Sequence, residues 1–455
     1  MAADTARELR SKLIYQVFTR NHGAGTFRAV EEDLPRIKAL GADILYLLPV
    51  QPSGEVHRKG SLGSPYAIKD YRAVDPRLGT MEDFIHLTEA AHQAGLQVML
   101  DVVYNHTSPD SVLAQEHPEW FYHKADGSFG NRIGDWWDVI DLDYADPGLW
   151  DYQIETLKMW ARYVDGFRCD VAPLIPLDFW KRARREVEEV RPGCIWLAEA
   201  VEHSFITECR KNGIPVLSDG ELYQAFDICY DYDLYEYQAG AMTGRSSLDE
   251  YLARITEQEA LFPDNYCKLR CLENHDRPRA AALLPDEKSL RSWTAWILFA
   301  KGTSLIYAGE EFRATHHPTL FDSDPIALGD AASNSTIPGD LRAQRQPAAD
   351  LSSLIAAMSA IKKDPALSRS AFRAEAAGAG HDVIVAVHEE YADAALSEKN
   401  IPGKKVYGIF PLSGRPCSIH IDIPDGLYTD LLTGGTVDIF EKTLSLQGGP
   451  IIFTM

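Results

Sequence analysis

The chain has 455 residues, 45% of them hydrophobic, and a formal net charge of −22. That length suits one large domain plus a small one, and so acidic a balance argues against nucleic acid or an anionic membrane as partner, since both select basic surfaces. No apolar run approaches the roughly 18–20 residues of a membrane helix, residues 1–10 lack the apolar centre of a signal peptide, and the seven cysteines are scattered without metal-ligand spacing, so free thiols and a cytoplasmic location are expected.

Residues 13–18 (Leu-Ile-Tyr-Gln-Val-Phe) read as a strand. Val30, Leu34, Ile37 and Leu40 then recur at helical spacing, with Gly41 placed to stop the helix and Pro35 blurring its start. Residues 43–50 form a second apolar strand. Thr80 and Asp83 have the spacing of a capping box, and behind it Phe84, Leu87, Ala91 and Ala94 line a helix closed by Gly95. Residues 96–103, 164–172, 195–198, 227–230, 268–272 and 304–308 read as further strands, with helical patterns over 153–163, 177–190 and 292–301. Strands apolar along their whole length imply a parallel sheet covered on both faces, and eight such units closing on themselves make an α/β (β/α)8 TIM barrel. A doubly wound open sheet is the alternative, although no glycine-rich phosphate turn follows the first strand.

Beyond Lys363 the pattern changes. Residues 383–388, 406–409, 418–423 and 451–455 read as strands with no helices between them, and the Ala/Gly run 374–380 reads as a loop or linker. The expected organisation is a catalytic barrel over residues 1–365, with a short insertion over 107–142 after the third strand, and a C-terminal antiparallel β-sandwich over 366–455.

Residues 164–172, Val-Asp-Gly-Phe-Arg-Cys-Asp-Val-Ala, are an apolar run broken by Arg168 and Asp170. Two apart on a strand, they share a face, and a neighbouring cation lowers a carboxylate pKa by roughly 1–3 units. An ionised, positioned aspartate is what covalent catalysis by a carboxylate requires; a buried pair that only holds the fold is the alternative. Barrel chemistry sits at the C-terminal ends of strands. The third strand ends in Asp101, Asn105 and His106, the fifth in Glu199, and the seventh in His275 and Asp276. Buried charges at four strand ends are hard to explain as packing, and paired carboxylates are the minimum for glycoside hydrolysis. Glu199 has no basic neighbour in sequence, which suits a protonated acid.

These residues resemble the α-amylase family of retaining glycoside hydrolases. The matching motifs are Asp-Val-Val-Tyr-Asn-His at 101–106, Gly-Phe-Arg-Cys-Asp at 166–170, Glu199, and Asn-His-Asp at 274–276, with further matches at 63–71, 141–144 and 306–311. The resemblance implies Asp170 as nucleophile, Glu199 as acid then base, and Asp276 as a binder of sugar hydroxyls that stabilises the transition state. It implies that His106 and His275 hydrogen-bond the sugar, Arg168 holds Asp170, Tyr66 stacks on the sugar face, and Asp101 and Asn105 brace the site. The implied substrate is an oligosaccharide with α-1,4 links. Alternatives are α-1,6 links, suggested by Val171, a transglycosidase or phosphorylase with the same intermediate, or a non-catalytic sugar-binding or interaction module. No cofactor is expected. A structural calcium is conceivable through Asn105, yet no acidic ligand loop is matched, so no metal ligands are assigned. Aromatics of the insertion, Trp120, Phe121, Tyr122, Trp136 and Trp137, either stack on sugars or form a local core. The oligomeric state is left open.

Overall fold

The computed structural model describes residues 5–133, 136–326, 328, 350–391 and 403–455. Eight short strands carry its centre: β1 (Leu13–Val17), β2 (Ile44–Leu47), β3 (Gln97–Val102), β4 (Gly166–Cys169), β5 (Ile195–Ala198), β6 (Ile228–Tyr230), β7 (Lys268–Arg270) and β8 (Thr303–Tyr307). They close in sequence order, every pair parallel, with β8 returning to β1 at Tyr15 opposite Ile306. These strands are buried along nearly their whole length, and all but β7 (Lys-Leu-Arg) are mainly apolar, because side chains pack on both faces, inside the barrel and under the surrounding helices.

The helices begin and end where local chemistry dictates. Helix Met81–Gln93 starts in the capping box, Thr80 accepting from the Asp83 N–H at 3.2 Å and Asp83 accepting from the Thr80 N–H at 2.8 Å. Helix Phe27–Ala39 starts at a Thr26 cap and runs through Pro35 before Gly41 (φ 84°) ends it. The third strand stops at Val102. His106–Thr107 instead pairs antiparallel with Ile140–Asp141, a two-stranded ribbon that forms the neck of the insertion.

After helix Ser352–Lys362 the chain turns to β9 (Ser370–Ala377), β10 (Val383–Glu390), β11 (Lys405–Pro411), β12 (Cys417–His420), β13 (Gly426–Thr429), β14 (Thr436–Phe440), β15 (Thr443–Leu446) and β16 (Ile451–Thr454). One antiparallel sheet is ordered β9-β10-β11-β16 and the other β12-β15-β14-β13. Val383, Ile409, Ile419, Val437, Leu444 and Phe453 fill the space between them. Reading 374–380 as a loop or linker is overturned for 374–377, since Ser370–Ala377 pairs residue by residue with Val383–Glu390, and holds for the turn at 378–380. Alanines hid a period of two in which Phe372 faces inward while Arg373 faces out. Strands β13 to β15 are only four or five residues long and alternate in exposure along their length, so they gave no apolar run to read. All seven cysteines are free, and among the described residues no helix is long and apolar enough to cross a membrane.

Candidate active site

Parallel register sets Asp101 of β3 directly beside Arg168 of β4. The guanidinium is wholly buried, and its Nη1 donates to Asp101 Oδ1 at 2.9 Å, to Asp101 Oδ2 at 3.2 Å and to Asp170 Oδ1 at 2.9 Å. Its Nη2 lies 2.9 Å from Glu199 Oε1. The expected Arg168–Asp170 pair is present, but this one cation faces three carboxylates, and the expected lowering of the Asp170 pKa is corrected. Burial, reinforced by Glu199, pushes Asp170 well above the usual carboxylate range against the pull of Arg168. Burial likewise lifts Asp101 to about 6. Burial is the larger cause, and the neighbouring carboxylates around one guanidinium add to it. Glu199, without a basic neighbour in sequence, has Arg168 beside it in space.

The remaining oxygens differ in ways that matter chemically. Asp170 Oδ2 has no hydrogen-bond partner among the described residues and lies 3.8 Å from His106 Nε2. Glu199 Oε2 accepts from the Val171 N–H at 2.7 Å. Val171 adopts φ 40° and ψ 42°, a left-handed conformation that a β-branched residue takes only under constraint. It joins the strand carrying Asp170 to the N–H that holds Glu199.

Tyr46 and Tyr66 donate to Asp101 Oδ2 at 2.6 and 3.0 Å. Gln16 Nε2 donates to His275 Nδ1 at 2.9 Å, leaving His275 Nε2–H to donate to the Tyr66 hydroxyl at 2.5 Å. Burial and then Arg168 push His275 well down, so the ring is neutral. Asn105 Nδ2 donates to His106 Nδ1 at 3.1 Å, and burial brings His106 to about 4. Asp276, with 38% of its side chain exposed, stands 3.2 Å from His275 Nε2. The predicted residues Tyr66, His106, Asp170, Glu199 and Asp276 thus border one cavity of about 390 Å³, with Arg168, His275, Asp101 and Asn105 bonded behind them. A larger cavity of about 650 Å³ touches Arg184, Cys194 and Asp227 near the N-terminal ends of β5 and β6 and gathers none of these carboxylates.

Sequence reasoning missed Gln16, Tyr46, Lys59, Glu202, Tyr232 and Arg277. Gln16 and Tyr46 sit inside otherwise largely apolar strands, a signal that was present. Arg277 follows Asp276 directly, bonds Glu202 and stacks over Tyr232 at 4.2 Å and Tyr235 at 3.7 Å. The insertion's aromatics divide: Trp120 and Phe121 are buried, whereas Trp136 lies 5.3 Å from the His106 ring at the cavity wall.

The calcium suggested through Asn105 does not fit the residues present. The Asn105 carboxamide points its Nδ2 at His106. Nearby Asp141 has one oxygen without a partner, but its other accepts from the Arg132 N–H at 2.7 Å, with the Arg132 guanidinium 3.8 Å away. A cationic side chain stands where a metal would need further oxygens. Among the described residues no group of three His, Cys, Asp or Glu side chains is placed to hold a metal ion.

A closed parallel barrel with carboxylates converging on its C-terminal rim defines a (β/α)8-barrel enzyme of the carboxylate type. A family model described as "Alpha amylase, catalytic domain" matches residues 16–410, and one described as "Bacterial Alpha amylase C-terminal domain" matches residues 376–453. The chain belongs to the alpha-amylase family. It is similar to an alpha-amylase from Lactobacillus plantarum, at 44% identity and TM-score 0.90 over 99% of this chain and 100% of that one. A maltogenic alpha-amylase from Thermotoga neapolitana is 29% identical, with TM-score 0.81 over 98% and 99% of the two chains. The alpha-1,4-glucan:maltose-1-phosphate maltosyltransferase of Myxococcus xanthus is 37% identical over 196 residues, 38% of this chain and 29% of that protein. The chain spans about a third or less of the length of such curated relatives.

Proposed function

We propose that the protein is a retaining glycoside hydrolase that cleaves α-1,4 bonds of malto-oligosaccharides. The carrying observation is the guanidinium of Arg168 bridging Asp170 and Glu199 while Asp170 Oδ2 stays free. Asp170 Oδ2 attacks the anomeric carbon as Glu199 gives its proton to the leaving oxygen, which forms a glycosyl-enzyme ester. Glu199, now ionised, takes a proton from water, and that water breaks the ester with the original anomeric configuration restored. Neutral His106 offers its Nε2–H to a sugar hydroxyl, His275 spends its Nε2–H on orienting Tyr66, which borders the same sugar, and exposed Asp276 accepts hydroxyl hydrogen bonds and faces the positive charge that develops. Asp101 and Asn105 position Arg168 and His106.

The second reading is transfer to a sugar or phosphate acceptor, favoured by similarity to proteins named as maltosyltransferases. Against a phosphate-bearing substrate, the described cations bordering the cavity, Lys59 and Arg277, are each paired with a carboxylate, Asp138 and Glu202. The test is a product time course on maltoheptaose with and without phosphate, followed by chromatography and anomer-resolved NMR. Shorter maltosaccharides released as α anomers support the proposal; longer products or a sugar phosphate replace it with transfer or phosphorolysis, and released β anomers overturn retention.

A further inference from the structure

A general acid protonates the leaving oxygen, so the aglycone lies on the side of Glu199, at the end of β5. In the closed strand order the position opposite β5 is β1, flanked by β2 and β8. Loops following β2 and β8 therefore stand at the glycone end of the cavity, and Lys59, Leu320 and Phe321 border it from those loops. Glu202 and Phe205 border it next to the acid.

At the glycone end the loops are tied together. Lys59 Nζ is 2.6 Å from Asp138 Oδ1 of the insertion, and Asp138 is only 5% exposed. The same ammonium lies 5.3 Å from the Trp137 ring and 5.7 Å from the Phe321 ring. Thus one side chain from the loop after β2 joins the insertion after β3 to the loop after β8. Backbone bonds fix the two outer loops: the Leu62 N–H donates to Phe321 O at 2.9 Å, and the Ser61 N–H and hydroxyl donate to Asp322 Oδ1 at 2.8 and 2.7 Å. Arg20 Nη1 donates to Gly63 O at 2.8 Å and to Leu320 O at 3.0 Å. Gly60 (φ 61°) is required for this closeness, since a Cβ there would meet Phe321 O at 2.6 Å.

A polymer cut at an internal bond must leave the cavity at both ends. Here the Lys59–Asp138 pair, its carboxylate buried, ties three loops together at the glycone end. We propose that Lys59, through Asp138 and Phe321, closes the glycone side and restricts the enzyme to the non-reducing ends of malto-oligosaccharides, releasing one short product repeatedly. This rests on the assignment of Glu199 as acid in a glycosidase.

The test compares two substrates labelled at the reducing end: open maltoheptaose, and maltoheptaose carrying a 4,6-O-ethylidene group on its non-reducing glucose. The wild-type enzyme is expected to give a single labelled product size first and to cleave the blocked substrate at least about 20-fold more slowly, the scale of discrimination a closed pocket achieves. Lys59→Ala is expected to spread the first products over several sizes and to narrow that ratio at least about 5-fold, while Lys59→Arg keeps the wild-type pattern. Asp138→Asn, which keeps shape while removing the charge, supplies the same comparison if Lys59→Ala fails to fold. Equal wild-type rates on both substrates with mixed first products overturn the proposal, as does an unchanged pattern in Lys59→Ala. No cleavage of either substrate overturns the glycosidase reading itself, a result distinct from cleavage at the wrong bonds.

Discussion

At Arg168 a single buried guanidinium serves Asp101, Asp170 and Glu199. Its geometry explains why the carboxylates differ: Asp101 is saturated by Arg168 and two tyrosine hydroxyls, while Asp170 keeps one oxygen open. Asp170→Asn and Glu199→Gln change little in shape, so each is expected to lower kcat at least about 10³-fold while thermal unfolding stays close to wild type. A rate near wild type in either variant removes that residue from its role. Asp141 bears a different prediction. Burial lifts its carboxyl to about 6, above the ~3.9 of an unfolded chain. A raised acid pKa contributes stability that is complete below pH 4 and lost as pH rises through 6. Asp141→Asn removes this titration, so wild type, relative to the variant, loses up to about 3 kcal/mol between pH 4 and 7. Urea unfolding at both pH values measures it, and a constant difference would refute it.

Among the elements, helix Glu287–Phe299 shows how the barrel holds the C-terminal sheets. Its end carries carbonyls that no helical N–H can reach. Lys362 Nζ donates to Leu298 O at 2.9 Å and Ala300 O at 3.3 Å, and His388 Nε2–H donates to Phe299 O at 2.9 Å. His388 lies in β10, its Nδ1 accepts from the Ser370 hydroxyl at 2.7 Å, and burial brings it to about 3. Phe299, Phe372 and Phe410 surround the contact. His388→Ala strands these partners and leaves a cavity, so a loss of about 2–4 kcal/mol is expected by chemical denaturation, with kcat on maltoheptaose little changed because the contact lies outside the rim.

For the whole molecule, we propose that residues 1–365, with 107–142 inserted, and residues 366–455 are the two domains of the chain. Phe372, Ile384, Val406 and Phe410 of the C-terminal sheets nevertheless belong to the same buried cluster as Trp296 and Phe299 of the barrel. A continuous apolar interface couples the two, so calorimetry is expected to show one unfolding transition, and two resolved transitions would separate them. A chelator is expected to leave activity and melting temperature unchanged, because Arg132 neutralises Asp141 where calcium was considered; loss restored by calcium would reverse that reading.

The sequence by itself determined the barrel, the β-rich C-terminal part and the motif residues of the rim. Those features are local: a strand buried on both faces shows in a few consecutive residues, and Arg168 and Asp170 are two apart. Composition hid β9, whose alanines mask its alternation, and β13 to β15, whose Gly and Thr resemble turns. Only the tertiary structure decided how charge is shared and which loops meet at the cavity. Gln16 fixes a histidine 259 residues away, Arg168 serves Asp101 from 67 residues away, and Lys59 meets Asp138 and Phe321 across three loops. Such contacts depend on barrel closure, which brings strand ends together in an order no local pattern encodes, and on burial, which gathers three carboxylates around the one cation of an expected ion pair.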